Sequence, residues 1–378
     1  MSDLDPVPDI LRSEHVLVLN WRDGKHPEAG GSEVYVEKIC EGLVARGARV
    51  TMIGPRYPGA ARREVVDGIE HRRYGGRLSI YLLVPLLALF RRLPRHDVVI
   101  EIQNGVPFLA SAYLHRPVVV LVHHVHREQW PILFSPIVAR FGWWLESRVA
   151  PYVGRRSPYV TVSEATRAEL VELGVDHDRI RVIRNGTPER GDLVDVSRTE
   201  HPSLVVLGRL VPHKRVEIAI EALATLTPEF PDLELTVVGE GWWHSQLVEH
   251  AHGLGLADRV HFTGHVSDDE KHEHLARAWV SAVPSIKEGW GLVIVEAGLH
   301  QTPTVAFRSA GGVQESLLDG ETGLLVDDES AYPQALGLLL GDDVLRERFG
   351  VMAEKHARSF TWSASQKAFG EFVAELTA

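Results

Sequence analysis

The sequence predicts an α/β protein of two doubly wound domains that face each other across a cleft. Its 378 residues are many for one hydrophobic core, so two domains are the natural expectation. Short apolar runs that end in glycine or polar residues alternate with longer helical patterns, which is typical of parallel sheets covered by helices. A polar, turn-rich stretch at residues 185–202 separates two sets of these runs and predicts the linker.

The apolar runs predict six strands on each side of this linker. The first set occupies residues 15–20, 48–54, 97–103, 117–124, 159–163 and 180–185. The second set occupies residues 203–209, 233–240, 259–265, 280–285, 302–307 and 323–328. In open parallel sheets, ligands bind beyond the carboxyl ends of the strands. We therefore expect the functional residues in the loops that directly follow strands.

The composition excludes several classes of protein. A formal net charge of −11 argues against a nucleic-acid binder, which needs an excess of Lys and Arg to neutralise phosphates. The single cysteine, Cys40, excludes an internal disulfide framework and a thiolate zinc site, and it is compatible with a reducing cytosol. Residues 1–10 lack the basic and apolar regions of a signal peptide. We therefore expect a cytoplasmic protein.

The most apolar segment, residues 78–90, is thirteen residues long and contains Pro85, so it is too short to span a membrane. Arginines flank it on both sides: Arg72, Arg73, Arg77, Arg91, Arg92 and Arg95. Buried packing is the favoured interpretation, and an interfacial helix is the alternative. The aromatic stretch at residues 126–146 has three possible interpretations: part of the core, a lid, or a surface that contacts lipid.

Two loops of the first domain carry candidate residues. Gly30 and Gly31 precede a predicted helix, and paired glycines allow backbone amides to approach a ligand. A simple helix-entry turn is the alternative. His123, followed by His124, ends the fourth strand and predicts a hydrogen-bond partner for a hydroxyl group or a general base. A structural histidine is the alternative, and we assign no metal because no carboxylate or thiolate stands at a ligand-like spacing.

The second domain opens with a basic loop. Arg209 and Lys214, with Arg215 nearby, lie between its first strand and a helix that starts at Val216. Two cations at a helix N-terminus oppose the dipole of that helix, so an anion between them is the simplest compensation. A diphosphate fits well. Solvated surface cations are the alternative.

A glycine-rich turn then separates two glutamates, Glu288 and Glu296, in the run "KEGWGLVIVE". If residues 292–300 open a helix, Glu288 lies before its start and Glu296 about two turns along it. Both carboxylates would then face one cavity at a helix N-terminus. A solvated pair of glutamates is the alternative.

With these loops in place, the chain resembles the retaining glycosyltransferases of family 4. These enzymes have the GT-B fold, in which two Rossmann-like, doubly wound domains face each other across a cleft. The resemblance runs almost end to end and is carried by "EAGGSE", "VTVSEATRAEL", "VIRNGTP", "GRLVPHK", "VVGEG", "FTGHV" and "VPSIKEGWGLVIVEAG". The last of these, with seven residues between its two glutamates, is the most specific.

The resemblance implies a role for each candidate residue. Arg209 and Lys214 grip the diphosphate of a nucleotide sugar, Glu296 binds the ribose, and Glu288 lies near the sugar ring. The catalytic candidates are Arg209, Lys214, Glu288 and His123. The donor-binding candidates are Gly30, Gly31, Arg209, Lys214, Val266, Glu288, Gly289, Trp290, Gly291 and Glu296.

The resemblance also implies domain roles and partners. Residues 1–187 would bind the acceptor and residues 200–360 the nucleotide-sugar donor, while a final helix at residues 361–378 packs back on the first domain. The reaction would be a retaining, hexosyltransferase-type transfer to a hydroxyl of a small-molecule, glycan or lipid-linked acceptor, in cell-envelope, polysaccharide or natural-product biosynthesis. Weak peripheral membrane contact stays open as a further partner.

No metal or other cofactor is expected. The run Asp176–Asp178 mimics the signature by which some sugar transferases hold a divalent ion, but it precedes a strand and is interpreted as a turn. The histidines of "EHAH", "HFTGH" and "KHEH" are interpreted as lying on exposed faces or in turns, and no metal is assigned to them.

Other functions on the same fold stay open, because fold does not decide function. They are a sugar phosphorylase, a nucleotide-sugar epimerase and a non-catalytic binding module. An oxidoreductase is disfavoured, since no G-x-G-x-x-G opens a helix after the first strand.

Overall fold

The computed structural model describes Leu11 and residues 14–188 and 196–378. Residues 1–10 and the part of the predicted linker at residues 189–195 lie outside the described chain. The chain divides into two compact units. Unit 1 comprises the described residues up to Gly186 together with Trp362–Ala378, and unit 2 comprises the described residues of Thr187–Thr361.

Unit 1 contains a sheet of eight strands in the order β3-β4-β2-β1-β5-β6-β7-β8. The strands are β1 (His15–Leu19), β2 (Arg49–Gly54), β3 (Arg63–Val66), β4 (Ile69–Arg73), β5 (Val98–Gln103), β6 (Val118–Val122), β7 (Tyr159–Thr161) and β8 (Ile180–Val182). All neighbours pair in parallel except β3 and β4. The six predicted strands are confirmed, because parallel strands covered on both faces read as continuous apolar runs.

The antiparallel hairpin of β3 and β4 was missed. Its turn is Asp67-Gly68, with φ angles of 50° and 79°, and Asp-Gly is the dipeptide that a two-residue hairpin turn with positive φ favours. The signal is therefore present in the sequence. It was overlooked because neither strand forms an apolar run: β4 alternates between buried and half-buried residues, and β3 between exposed and half-buried ones.

The helices of unit 1 cover both faces of its sheet. They are α1 (Gly31–Ala45), α2 (Ile80–Leu89), α3 (Trp130–Leu133), α4 (Pro136–Trp144), α5 (Ala150–Val153), α6 (Glu164–Glu172) and, at the end of the chain, α14 (Trp362–Thr377). A π-helical turn, Leu145–Val149, joins α4 to α5. Helix α14 packs on α1, where the Gln366 amide donates to the Lys38 carbonyl at 2.8 Å.

Unit 2 contains six parallel strands in the order β11-β10-β9-β12-β13-β14. They are β9 (Ser203–Leu207), β10 (Glu234–Val238), β11 (Val260–Gly264), β12 (Val280–Val283), β13 (Thr304–Phe307) and β14 (Gly323–Val326). All six predicted strands are confirmed. The strand order reverses between β9 and β12, and this reversal is the topological switch point of a doubly wound sheet.

The helices between these strands complete unit 2. They are α7 (Val216–Leu226), α8 (His244–Gly253), α9 (Asp268–Arg277), α10 (Leu292–Leu299), α11 (Val313–Ser316), α12 (Ala331–Gly341) and α13 (Asp343–Ala357). Their starts follow local capping chemistry. Ser267 and Glu270 form a capping box at α9, and the Asp342 carboxylate accepts from the Leu345 amide at α13.

The interpretation of residues 78–90 as buried is wrong for half of the segment. Helix α2 buries Ile80 and Val84, which are four residues apart on one face. On the opposite face, Leu78 is 78% exposed, Leu82 72% and Leu89 73%. Within the described chain, no helix is both long and apolar enough to cross a membrane.

Candidate functional site

A small hollow in unit 2 lies at the switch point between β9 and β12. Gly208, Arg209 and Lys214 line it from the loop after β9, and Pro284 and Ser285 line it from the loop after β12. Ligands of doubly wound sheets bind at this position, because the connections leave the two strands toward opposite faces and open a crevice. The hollow therefore places two predicted residues where the fold expects a ligand.

The two cations of this hollow differ in their partners. Lys214 ends a 3-10 turn, Pro212–Lys214, and Arg215 follows in the left-handed region at φ 52°, directly before α7. Lys214 Nζ donates to Glu288 Oε1 at 2.6 Å. Arg209, in contrast, has no acidic partner among the described residues. Arg215 pairs with Glu329 and is not among the residues that line the hollow, so Arg209 and Lys214 are the cations that face it.

The backbone around Glu288 is held by a second loop. Its N–H donates to the Ala310 carbonyl at 2.9 Å, and its carbonyl accepts from the Gly312 N–H at 3.1 Å. A Cβ atom on Gly312 would lie 2.1 Å from the Gly289 carbonyl oxygen, so only glycine permits this close approach. The Glu288 side chain therefore projects toward Lys214 from a rigid support.

Glu296 lies on α10, which begins at Leu292 after Gly291 (φ 90°). It is the fifth residue of the helix, so it stands little more than one turn along it and not two. Glu296 is 7% exposed. Its Oε1 accepts from Lys271 Nζ at 3.0 Å, and the same ammonium donates to Asp268 Oδ1 at 2.9 Å.

Each predicted glutamate is thus paired with a lysine from another element. Burial lowers the pKa of the Lys271 ammonium, but the charges of Glu296 and Asp268 outweigh burial and raise its pKa overall. Lys271 therefore keeps its proton at neutral pH. A nearly buried carboxylate such as Glu296 requires a partner of this kind, since an unpaired buried charge is strongly destabilising.

The loop between the two glutamates differs from the expectation at one position. Trp290 is 1% exposed, and its ring packs edge-on against Phe360 with centroids 4.8 Å apart. Its side chain therefore packs in the core of unit 2, and Gly289 beside it is half-buried.

Val266 follows β11 and is half-buried. It packs against a small buried cluster of Val238, Leu275 and Ala297. This position lies one residue before the Ser267 cap of α9. The backbone around Val266 is consequently fixed close to the helix that carries Lys271.

In unit 1, the two glycines of the first loop are not equivalent. The Gly30 N–H donates to Glu33 Oε2 at 2.8 Å, which corrects the expectation that both amides are open to a ligand. Glu33 Oε1 lies 3.3 Å from Arg22 Nε, and both side chains are buried. Glu33 therefore already supplies an anion at the start of α1, where Gly31 is the first residue.

His123 follows β6 and is 5% exposed. Its ring meets Tyr35 edge-on with centroids 5.4 Å apart, and its Nε2 is buried with no hydrogen-bond partner among the described residues. Burial lowers the pKa of His123 to about 3, so the imidazole is neutral at pH 7. A neutral imidazole with so low a pKa suits a hydrogen bond better than general-base catalysis.

Comparison with known proteins identifies the family. Residues 29–189 match the family model described as Glycosyltransferase Family 4, and residues 194–356 match the model described as Glycosyl transferases group 1. The GDP-mannose-dependent alpha-(1-6)-phosphatidylinositol monomannoside mannosyltransferase of Mycolicibacterium smegmatis is 31% identical over 93% of this chain and 95% of its own length. The chain belongs to glycosyltransferase family 4.

Other relatives agree with this assignment. The D-inositol 3-phosphate glycosyltransferase of Acidothermus cellulolyticus is 31% identical over 89% of this chain and 83% of its own length. Among solved structures, sucrose-phosphate synthase from Thermosynechococcus elongatus superposes with a TM-score of 0.81 at 20% identity, covering 96% of this chain and 99% of that one. At that identity the likeness shows the fold alone, which is GT-B. The family membership makes the protein a nucleotide-sugar glycosyltransferase of glycan biosynthesis.

Two residues of this family 4 enzyme were missed by sequence reasoning. Lys271 was missed because only the packing of α9 on α10 brings it to Glu296; the capping box that starts α9 is visible in the sequence, but its partner helix is not. Glu146 was missed because it ends the aromatic stretch at residues 126–146, in which no role was assigned to a carboxylate. It is 1% exposed and accepts from His126 Nδ1 at 2.8 Å and Trp130 Nε1 at 2.7 Å, so it organises the loop that follows His123.

Of two further interpretations from the sequence, one is confirmed and one is wrong. Asp176–Asp178 is a turn as expected, with the Asp176 carboxylate accepting from the Asp178 N–H at 3.1 Å. His272, from the "KHEH" run, was interpreted as exposed, and this is wrong: it is 5% exposed and bonds His300 at 2.8 Å. In the described parts of the chain, no group of three or more His, Cys, Asp or Glu side chains is arranged to hold a metal ion.

Proposed function

We propose that the enzyme binds a nucleotide-diphosphate sugar in unit 2, with the diphosphate between Arg209 and Lys214. The main support is the position of these cations at the switch point between β9 and β12. There, Lys214 contacts Glu288 at 2.6 Å, and Arg209 has no acidic partner in the described chain. A guanidinium without a carboxylate in a crevice of this kind is suited to a phosphate.

The two glutamates are proposed to hold the sugar rings of the donor. Glu296 would accept hydrogen bonds from the ribose hydroxyls, and Glu288 from the transferred sugar. When no donor is bound, Glu288 and Lys214 balance each other's charge. An arriving diphosphate takes over part of that role at Lys214 and leaves Glu288 oxygens for hydroxyl groups.

We propose a retaining transfer at the same face of the sugar. The bond between the anomeric carbon and the diphosphate oxygen breaks, a bond from that carbon to the acceptor oxygen forms, and the acceptor proton passes to the leaving diphosphate. Negative charge grows on the diphosphate while the sugar becomes positive, so fixed cations lower the barrier. Arg209 and Lys214 are the residues proposed for this role, without a metal ion.

His123 is proposed as a hydrogen-bond partner of the transferred sugar. Its buried Nε2 has no partner in the described chain, and a buried polar atom without a partner is costly unless a ligand supplies one. A sugar hydroxyl could pair with this nitrogen while the imidazole stays neutral.

The donor and acceptor classes are drawn from the relatives. One relative is named for GDP-mannose and a phosphatidylinositol mannoside, and another for D-inositol 3-phosphate. A solved structure of similar fold, that of Anabaena Alr3699/HepE, is titled as a complex with UDP-glucose. We propose a GDP- or UDP-hexose as donor and a hydroxyl of an inositol-containing, glycan or lipid-linked molecule as acceptor. The reaction would serve cell-envelope, polysaccharide or natural-product biosynthesis in the cytoplasm.

A panel of nucleotide sugars tests the proposal, with binding measured by calorimetry and slow hydrolysis of the donor measured without acceptor. At least one GDP- or UDP-hexose should bind and release nucleoside diphosphate. Lys214→Ala and Glu296→Ala should each weaken binding at least tenfold, whereas Lys355→Ala, an exposed lysine of the same unit, should not. Unchanged binding in both site variants contradicts the site, and phosphate-dependent turnover would indicate a phosphorylase instead.

A further inference from the structure

Unit 1 carries an exposed apolar stripe along α2. Leu78 lies two residues before the helix, and Leu82, Leu86 and Leu89 follow at intervals of four, four and three residues, which places these three on one helix face. The four leucines are 78%, 72%, 45% and 73% exposed, and Phe90 directly after the helix is 68% exposed. A soluble protein rarely leaves a contiguous set of large apolar side chains in water without a partner.

A second stripe runs along α4. Ile137, Phe141 and Trp144 are spaced by four and three residues and are 83%, 58% and 51% exposed. The opposite face of α4 is closed, because Gly142 lies so near the Trp130 ring that a Cβ there would be 2.3 Å from it. The exposure is therefore a property of one face of the helix and not of a loosely packed segment.

Both stripes flank the same loop after β5. The Tyr81 ring of α2 packs on Phe108 with centroids 4.6 Å apart. A Cβ atom on Gly105 would lie 3.1 Å from the Trp130 ring, at the start of α3. Residues 105–108 thus join the supports of α2 and α4, and the two stripes belong to one end of the unit 1 sheet.

The charge around the stripes is positive. No acidic residue occurs in residues 72–95 or in residues 129–145. Exposed arginines border both stripes: Arg77, Arg91, Arg92, Arg95, Arg140 and Arg148. None of the six has an ion-pair partner in the described part of the chain. The chain as a whole has a net charge of −11, so this concentration of cations is local.

We propose that the α2–α4 surface, defined by these two stripes and their bordering arginines, docks on a bilayer that contains anionic lipids. Leucine, phenylalanine and tryptophan side chains enter the boundary between headgroups and acyl chains, and the arginines bind lipid phosphates. Apolar side chains bordered by cations complement a bilayer, whose acyl chains are apolar and whose headgroups are anionic.

A second copy of the chain fits this surface less well. A symmetric dimer through the same patch would bring the arginines of one copy against those of the other, and like charges in contact oppose association. An anionic bilayer supplies the opposite charge.

Docking on the membrane does not depend on the donor site. The use of a membrane-bound acceptor rests on the proposed function, whereas vesicle binding does not. The two ideas can therefore fail separately.

Flotation of the full chain with lipid vesicles tests the proposal. The chain should bind vesicles of phosphatidylcholine with phosphatidylglycerol, bind phosphatidylcholine alone at least tenfold more weakly, and lose binding at high salt. The double variant Arg91→Glu and Arg92→Glu should reduce the partition coefficient by roughly 10- to 100-fold. Leu82→Glu with Leu89→Glu should abolish detectable binding.

Val344→Glu is the matched control, because Val344 is 78% exposed, as Leu78 is, but lies on α13 of unit 2. It should bind vesicles like the unchanged chain. All variants should keep the same thermal unfolding midpoint and the same donor hydrolysis in solution. Equal binding to neutral and anionic vesicles, or full binding by both double variants, would overturn the proposal. Dimers by light scattering that the Leu82→Glu variant disrupts, without vesicle binding, would assign the surface to a second copy.

Discussion

Helices α2 and α7 are both rich in aliphatic residues, yet they meet their surroundings in opposite ways. Helix α7 buries seven of its eleven residues against the core of unit 2. Helix α2 buries only Ile80 and Val84 and leaves its leucine stripe in water. Apolar composition therefore predicts a helix with a large apolar surface. It does not predict whether that surface is buried in the core of the protein.

The same contrast extends to charge. Unit 2 uses its internal ion pairs, Lys214 with Glu288 and Lys271 with Glu296, at the candidate site. The cations that border the α2–α4 surface have no carboxylate partners in the part of the chain that the structure describes. In our two proposals, unit 2 presents charge to a small ligand, and unit 1 presents charge around an apolar face to a bilayer.

The largest effect should separate the two helices directly. Leu223→Ala in α7 removes a fully buried side chain and should lower the free energy of unfolding by about 2–5 kcal/mol. Leu82→Ala in α2 should change it by less than about 0.5 kcal/mol. Urea unfolding followed by circular dichroism measures both. If both variants lose the same free energy of unfolding, the leucine face of α2 is buried in solution and the two helices do not differ.

The next effect concerns Arg209, which has no acidic partner among the described residues. Arg209→Ala should reduce the rate of donor hydrolysis by about 10²- to 10³-fold, because it removes charge stabilisation from the leaving diphosphate. Arg91→Ala, an exposed arginine of unit 1, should leave that rate unchanged in solution. Steady-state release of nucleoside diphosphate provides the measurement, and equal rates in the two variants would remove Arg209 from the proposed mechanism.

A smaller effect is expected at the positioning residue Lys271. Lys271→Met leaves Glu296 without its cation and should raise KM for the donor about tenfold, with kcat changed less. Lys271→Arg should restore most of the affinity, since a guanidinium can also reach a carboxylate. A fall in thermal stability with KM unchanged in the methionine variant would assign Lys271 a purely structural role.

The last effect is a dependence of stability on pH that both units share. Burial lowers the pKa of His123 in unit 1 to about 3, and burial with the neighbouring His272 lowers that of His300 in unit 2 to about 4. Both are below the ordinary value of 6.5, so the unfolded chain binds protons that the folded chain does not. Stability from these histidines is complete above pH 6.5 and is lost as pH falls toward 4.

The unfolding midpoint in urea should therefore decrease between pH 6.5 and pH 4. His300→Asn should make this decrease shallower, while an exposed histidine, His265→Asn, should not. If the His300 variant follows the unchanged chain throughout, the imidazole is not kept neutral by its burial.

Much of this fold was predictable because its signals are local. Buried parallel strands appear in the sequence as apolar runs, and the ends of these runs predict the positions of the loops after β9 and β12. The hairpin of β3 and β4 carries an equally local signal in Asp67-Gly68. The contact from Lys214 to Glu288 spans 74 positions and was not predicted, since no periodicity reports contacts between distant segments.

The amino-acid sequence by itself determined two sheets, the order of their strands along the chain, and the residues that end each strand, because propensity, turn chemistry and apolar periodicity act over a few neighbours. Tertiary packing alone decided that Trp290 enters the core, that Lys271 reaches Glu296, and that one face of α2 stays in water. Burial and ion pairing depend on which surfaces meet across the fold, and that is a property of the assembled chain.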